Sequence, residues 1–303
     1  MIIQNTGKAG DKMYVVGSSA TPVYLLDGPK PILFDAGLTA FTLQYEAGIK
    51  EILKTREPSY LFLTHSHFDH IGAASYFKKL WPELKIAGSE KCGEILAKPN
   101  AVKLMTDLNY EAARGIKEMC LGPVYESPFE PFELDVIVQP GQTMDISSGV
   151  SVSVINTPGH TWDFMAYYIP EQKILVASEA VATYESGGYL QPEFLVDFDA
   201  YLDSIQTIEK LDTDILCGGH HAVFTGADAA KHIRRSFNAA NHYLSMAQKF
   251  LIQEKGDIDR AVAQIKAEEW DPRPWPKQPE SAYLLNTWQR VNTISRRMNK
   301  PHE

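Results

Sequence analysis

Short apolar runs punctuated by turn residues open the chain. "MYVVGSS" (13–19), "PVYLLDG" (22–28) and "PILFDAG" (31–37) are each bounded by Gly, Pro or Asp, the pattern of consecutive antiparallel strands. The spacing then changes to a helical period in "TAFTLQYEAGIKEILK" (39–54). An apolar strand "YLFLT" (60–64), a helix through "AASYFKKLW" and a strand "LKIAGS" (84–89) follow. This alternation predicts a layered α/β core.

Residues 90–133 break the rhythm with a helical stretch and then the Pro-rich "GPVYESPFEPF", read as an insertion over one edge of the core. Strands resume at "DVIVQP", "TMDI", "VSVSVINT", "FMAYYIP" and "KILVAS"; residues 199–211 read as a helix and "DILCGG" (214–219) as one more strand. The second half therefore repeats the order of the first. From about Ala227 strand signals stop and helical segments are expected at 227–255, 257–269 and 280–299. The expected organisation is a domain over 1–226 and a helical cap over 227–303.

Composition narrows the function. With 44% apolar and 22% charged residues among 303, the chain can bury a sizeable core. A formal charge of −9 argues against nucleic acid, which requires a concentrated basic face. The first residues do not read as a signal peptide. No stretch reaches the roughly 18 to 20 apolar residues that span a bilayer, so no membrane partner and a cytoplasmic location are expected. Cys92, Cys120 and Cys217 are too widely spaced for a disulfide framework or a metal knuckle, and are expected to be buried thiols.

The chemistry concentrates in "FLTHSHFDHIG" (62–72), where three of the nine histidines and an aspartate fall within six positions after a strand. Alternate residues of an extended chain share a face, so His65 and His67 point the same way; Asp69 and His70 lie on the turn into the next helix. Neutral imidazoles and a carboxylate suit Zn²⁺, Fe²⁺ or Mn²⁺. Four such ligands from one loop imply two adjacent ions. Three later strands end in the same manner, presenting His160 in "INTPGHTWD", Glu179 in "ILVASEA", and His220 and His221 in "ILCGGHHAVFTG".

The ordered motifs "THSHFDH", "TPGHT", an acidic residue after a buried strand, and "GGHH" resemble the metallo-β-lactamase-fold hydrolases over about residues 13–226. The resemblance, which extends to glyoxalase II, lactonases and a quinolone-signal response protein with a helical cap, implies a four-layer αββα sandwich. A dinuclear site is implied at one edge of the two sheets. By position it assigns His65, His67 and His160 to one ion and Asp69, His70 and His220 to the other, with His221 an alternative to His220. Glu179 stands where the family usually has a bridging aspartate, one methylene shorter. Asp35, in "LFDAG", matches an aspartate that orients a ligand or loop.

The resemblance further implies a hydrolase in which two divalent ions, zinc first and iron or manganese otherwise, activate water against an ester-like bond of a small molecule: a thioester, lactone or phosphoester. Asp69 is the residue expected to orient that water. Phe68, Trp162, Tyr184, Tyr189 and Phe194 stand near the metal motifs as candidates to line an apolar pocket, and His242 is the candidate from the cap. A homodimer is compatible with the cap. The competing expectation is a metal-binding signalling protein with weak catalysis, the glutamate at 179 having weakened the site.

Overall fold

The strand-rich stretches build two seven-stranded sheets. In chain order the elements are β1 (Ile2–Ile3), β2 (Gly7–Lys8), β3 (Met13–Gly17), β4 (Pro22–Leu26), β5 (Ile32–Phe34), α1 (Thr42–Leu53), β6 (Tyr60–Phe62), α2 (Phe68–Ile71), α3 (Ala74–Leu80), β7 (Lys85–Ser89), α4 (Glu90–Leu96), α5 (Pro99–Glu118) and β8 (Val136–Val138). Then come β9 (Thr143–Ser147), β10 (Val150–Asn156), β11 (Met165–Ile169), β12 (Ile174–Ser178), β13 (Thr183–Tyr184), β14 (Leu190–Gln191), α6 (Phe198–Glu209), β15 (Ile215–Gly218), β16 (Val223–Thr225), α7 (Ala227–Gln253), α8 (Ile258–Ile265) and α9 (Glu280–Met298). The computed structural model describes residues 1–119, 122–275 and 277–299; Cys120 lies outside them.

Two units emerge: Met1–Asn156 with Asp163–Ser178 and Asp212–Ala229, and Thr157–Trp162 with Glu179–Leu211 and Ala230–Glu303. Both large sheets belong to the first. One runs β2-β3-β4-β5-β6-β7-β8, the other β1-β16-β15-β12-β11-β10-β9. The opening strands pair antiparallel as their turn-bounded runs predict, whereas β5, β6, β7 and β8 pair parallel because helices intervene between them. The parallel β12–β15 pair similarly brackets α6.

The first sheet is apolar on both faces, and alternation turns one apolar face of the second towards it. Val15, Tyr24, Ile32, Phe34 and Phe62 of the first sheet meet Val152, Val154, Tyr167, Val176 and Cys217 of the second in one buried cluster. Phe62 and Phe34 stack at 5.8 Å, and Phe62 lies 5.1 Å from the Tyr167 ring. The opposite face of the first sheet packs Leu25, Leu33, Leu61 and Ile86 against residues of α1, α3, α4 and α5, among them Ile49, Phe77, Cys92 and Met105. These layers place the C-terminal ends of β5, β6, β12 and β15 where loops can present polar side chains.

The second unit carries α6, most of α7, α8 and α9 together with the β13–β14 hairpin. The expected helices from Ala227 onward appear as α7, α8 continued by a π-helical turn Lys266–Trp270, and α9. β1, β2, β13, β14 and β16 were not expected. Four of these are two residues long and β16 three, too short to develop a period. On α7, buried His232 donates from Nε2 to Ala182 O (2.8 Å), while Ser236 Oγ accepts from Ala182 N (3.0 Å) and donates to His232 O (2.9 Å). Burial, opposed by the Ala182 carbonyl and reinforced by Arg235, pushes the His232 pKa down to about 4.

A folded-state value below the ordinary 6.5 of a histidine means that the unfolded chain takes up the proton first. The contribution is therefore full above about pH 6.5 and is lost as pH falls towards 4. Denaturant titrations of wild type and His232→Gln at pH 7 and 4.5 should show the wild-type advantage shrinking by on the order of 2 kcal/mol. A difference that does not change with pH would contradict the assignment.

Candidate metal centre

The first motif is built on the end of β6. After Phe62 the chain leaves the sheet, Leu63 N still bonds Ala87 O (2.9 Å) and Leu63 O accepts from buried Tyr167 OH (2.7 Å). His67 is extended at the entrance to the single turn α2, so Asp69 and His70 follow on its first positions. The loop is held from the side by Asp163, whose Oδ2 accepts from Ser66 N (2.8 Å) and whose carbonyl accepts from Ser89 Oγ (2.8 Å). Beyond α2, Gly72 admits no side chain, since a Cβ there would meet Thr39 N at 2.2 Å and Gly37 O at 2.6 Å.

Within the first unit the loop brings four of the predicted ligands together with a fifth. His65 and His70 are buried and the others half-buried. The rings of His65 lie 4.6 Å from His67 and 4.4 Å from His70, and His70 lies 5.3 Å from His220. One ligand atom each of Asp69, His70 and His220 falls within 4.8 Å of the others. Asp69 Oδ2 is 3.9 Å from His70 Nε2 and 3.8 Å from His220 Nε2. Those separations are too long for hydrogen bonds. They suit ligands of one ion, because metal-ligand bonds of roughly 2.0 to 2.2 Å put neighbouring donors on the order of 3 to 4 Å apart.

Asp35 decides which nitrogens point inward. It sits just past β5 with φ of 57°, buried, a left-handed conformation that aspartate tolerates better than most residues. Its carboxylate accepts from Thr64 N (2.8 Å), from Thr64 Oγ1 (3.0 and 2.9 Å), from His70 Nδ1 (2.9 Å) and from Ser178 Oγ (3.4 Å). A carboxylate only accepts, so His70 carries its hydrogen on Nδ1 and keeps a lone pair on Nε2. The Thr64 hydroxyl spends its hydrogen on Asp35 and must accept from His65 Nδ1 (3.0 Å), which fixes His65 in the same tautomer. His220 donates from Nδ1 to Ala20 O (2.5 Å), with the same result. Metal-binding histidines use such partners to fix tautomer and ring orientation. The residues present therefore fit divalent metal ions: imidazole lone pairs and a carboxylate, already oriented.

His221 plays a different part. Its φ is 61°, its N–H donates to Ser19 O (2.6 Å), and burial together with neighbouring His220 lowers its pKa to about 4. It shapes the loop that presents His220.

In the second unit, His160 is buried and its Nδ1 donates to Glu193 O (2.5 Å). Glu179 is buried directly after Ser178, which ends β12 at φ of 47°. Of the aromatic candidates, Phe68 is half-buried against the α1–α5 cluster. Trp162 is 49% exposed. Tyr184 is half-buried, its ring 6.4 Å from His232. Phe194 is sealed among Phe198, Tyr201 and Tyr243, and contributes packing there. Tyr189 is half-buried under the Arg273 guanidinium, 4.0 Å from its ring centroid, and His242 is exposed on α7. Cys92 and Cys217 are buried free thiols whose pKa burial pushes up, so neither is a poised nucleophile.

A family model described as the metallo-beta-lactamase superfamily matches residues 16–220, more than half of the chain. The chain belongs to that superfamily. Among relatives, an atrochrysone carboxyl ACP thioesterase of Aspergillus fumigatus is 20% identical over 214 residues, 71% of this chain and 51% of that protein. A hydroxyacylglutathione hydrolase of Hyphomonas neptunium is 26% identical over 154 residues, 50% and 57%. The chain thus spans about half the length of these relatives. A metallo-beta-lactamase family protein from Thermus thermophilus aligns with a TM-score of 0.62 at 16% identity, covering 98% of this chain and 93% of that one, a likeness of fold.

Sequence reasoning placed Asp35 beside the ligands but missed Thr64, Asp163 and Ser178. The available signals were local: Thr64 immediately precedes His65, and Asp163 follows His160 by three residues. Replacing Asp35 by Asn puts an amide donor against His70 Nδ1–H and Thr64. Affinity for Zn²⁺ should fall roughly 10- to 100-fold, read by competition with a chromophoric chelator; unchanged affinity would contradict the orienting role.

Proposed function

We propose that this chain is a metal-dependent hydrolase that cleaves an ester-like bond of a small molecule, with thioesters as the leading substrate class. The observation that carries the reading is the convergence of Asp69, His70 and His220 with the imidazole lone pairs already set by Asp35 and Ala20 O. The names of the Aspergillus fumigatus and Hyphomonas neptunium relatives, a thioesterase and a hydroxyacylglutathione hydrolase, support the choice of bond. Among the described residues no helix is long and apolar enough to cross a membrane.

In this reading His65, His67 and His160 would hold one ion and Asp69, His70 and His220 the second, with Glu179 standing where the family usually has an aspartate. Divalent ions so held polarise a carbonyl oxygen and make a water acidic enough to lose its proton near neutral pH. The chain's own part is orientation. Asp69 turns Oδ2 towards His70 and His220, and its Oδ1 is assigned to accept the hydrogen bond that aims the attacking water at the carbonyl carbon. No serine or cysteine is needed, consistent with buried Cys92 and Cys217.

Glutamate at 179 bears on the alternative of a weakly catalytic signalling protein, because its extra methylene changes how a carboxylate spans two ions. Elemental analysis of wild type and Glu179→Asp, with a panel of thioester, lactone and phosphodiester substrates, separates the two. The proposal expects about two ions per chain and thioester turnover lost on chelation. It expects turnover to fall by at least two orders of magnitude in His67→Ala. Wild type with one ion or none, gaining metal and turnover only as Glu179→Asp, would instead favour the signalling reading.

A further inference from the structure

The C-terminal helix reaches His160 through two short relays. Arg290, on α9, is 0% exposed; its Nη1 donates to Pro192 O (2.9 Å), its Nη2 donates to Thr287 Oγ1 (2.9 Å), and its guanidinium lies 4.6 Å from the Tyr243 ring centroid. One helical turn on, Thr293 Oγ1 donates to Leu195 O (2.9 Å). Between these two anchored carbonyls stands Glu193, whose own carbonyl accepts from His160 Nδ1. The same segment grips the residue before the histidine. The N–H groups of Leu195, Val196 and Asp197 converge on Gly159 O at 3.0, 3.1 and 3.3 Å. Gly159 has φ of 127°, and a Cβ there would lie 2.4 Å from Tyr201 Cα, so the chain approaches α6 as closely as only glycine permits. Ser204 Oγ closes the arrangement on Pro158 O (2.7 Å).

A guanidinium is expensive to strip of water, and the carboxylates of Glu193 and Glu269 favour its charge here. What arginine adds is a fixed planar fork that can hold a main-chain carbonyl while a second arm is pinned. We infer that Arg290, with Thr293, is a positioning residue for His160: α9 fixes the backbone of 192–195 so that the Glu193 carbonyl holds the imidazole hydrogen on Nδ1 and presents Nε2 for coordination. This rests on the reading of His160 as a metal ligand. It assigns the C-terminal helix a role in metal binding as well as packing.

The test uses the full chain with Arg290→Met, Arg290→Lys and Thr293→Val. In metal-free protein, histidine ¹⁵N shifts should report His160 as a single Nδ1–H tautomer in wild type, a mixture in Arg290→Met, and partial recovery in Arg290→Lys. Stepwise Zn²⁺ competition with a chelator should show one ion weakened roughly 10- to 100-fold and the other unchanged. Thr293→Val should move both readouts in the same direction by less, and carries the test if Arg290→Met does not fold. Reduced stability to urea with the His160 tautomer and both affinities unchanged would overturn the inference. His160→Ala guards the underlying reading: if it leaves both affinities intact, His160 is not a ligand and the inference fails for that reason, whereas an ion lost there but insensitive to Arg290 and Thr293 refutes the relay alone.

Discussion

At the first unit's candidate site, the orientation of His65 and His70 depends on one buried carboxylate. Asp35 collects the Thr64 amide, the Thr64 hydroxyl, His70 Nδ1 and the Ser178 hydroxyl on two oxygens, and so ties the ends of β5, β6 and β12 to one point. Its influence is directional. Because the carboxylate can only accept, the hydrogens of His70 and, through Thr64, of His65 are committed to Nδ1 before any ligand arrives. Hydrogen-bond donors held by an acceptor in a buried setting are worth more than the same pair in water, and a change there leaves several polar groups without partners at once.

The same device recurs with main-chain carbonyls in place of a carboxylate. Ala20 O holds His220 Nδ1, and in the second unit Glu193 O holds His160 Nδ1. In each case the second nitrogen is left for chemistry while the first is spent on orientation. The carbonyls that do this lie in irregular segments, and irregular segments hold their shape only if something else pins them. Tyr45 OH donating to Thr21 O (2.7 Å) does so near Ala20; Arg290 and Thr293 do so around Glu193. The orientation of these histidines is thus maintained by residues distant in sequence, and the same holds at the end of β15, where 194 positions separate Tyr24 OH from the Gly218 O it holds.

How much of this was legible from the chain follows from the range of each signal. The helices and longer strands, such as β3, β10, α7 and α9, develop enough turns or alternations for their periods to show, and each appears where its pattern put it. The candidate ligands of the first motif are crowded into six positions and announce themselves; Asp35 was found through the family resemblance, which has an aspartate at the end of an early strand. Thr64 and Asp163 were missed because hydroxyls and single carboxylates next to histidines are common, and only the fold shows that Asp163 reaches Ser66. β1 rests on a partner at the other end of the domain, pairing Ile2 with Phe224 of β16, and the β13–β14 hairpin is a two-residue pairing, which no local pattern encodes. Phe194 and His242 show the limit of nearness in sequence: one is enclosed among aromatic rings and the other faces solvent.

The central claim is that Asp35 sets the imidazoles before metal arrives. Histidine ¹⁵N correlation spectra of the metal-free protein at pH 7.5 test it most directly. The account predicts that His65, His70 and His220 each give a single set of shifts with the hydrogen on Nδ1 and a bare Nε2, and that Asp35→Asn releases His65 and His70 into mixed tautomers while His220 stays as it was. Mixed tautomers in the wild-type protein, or an unchanged pattern in the variant, would contradict it.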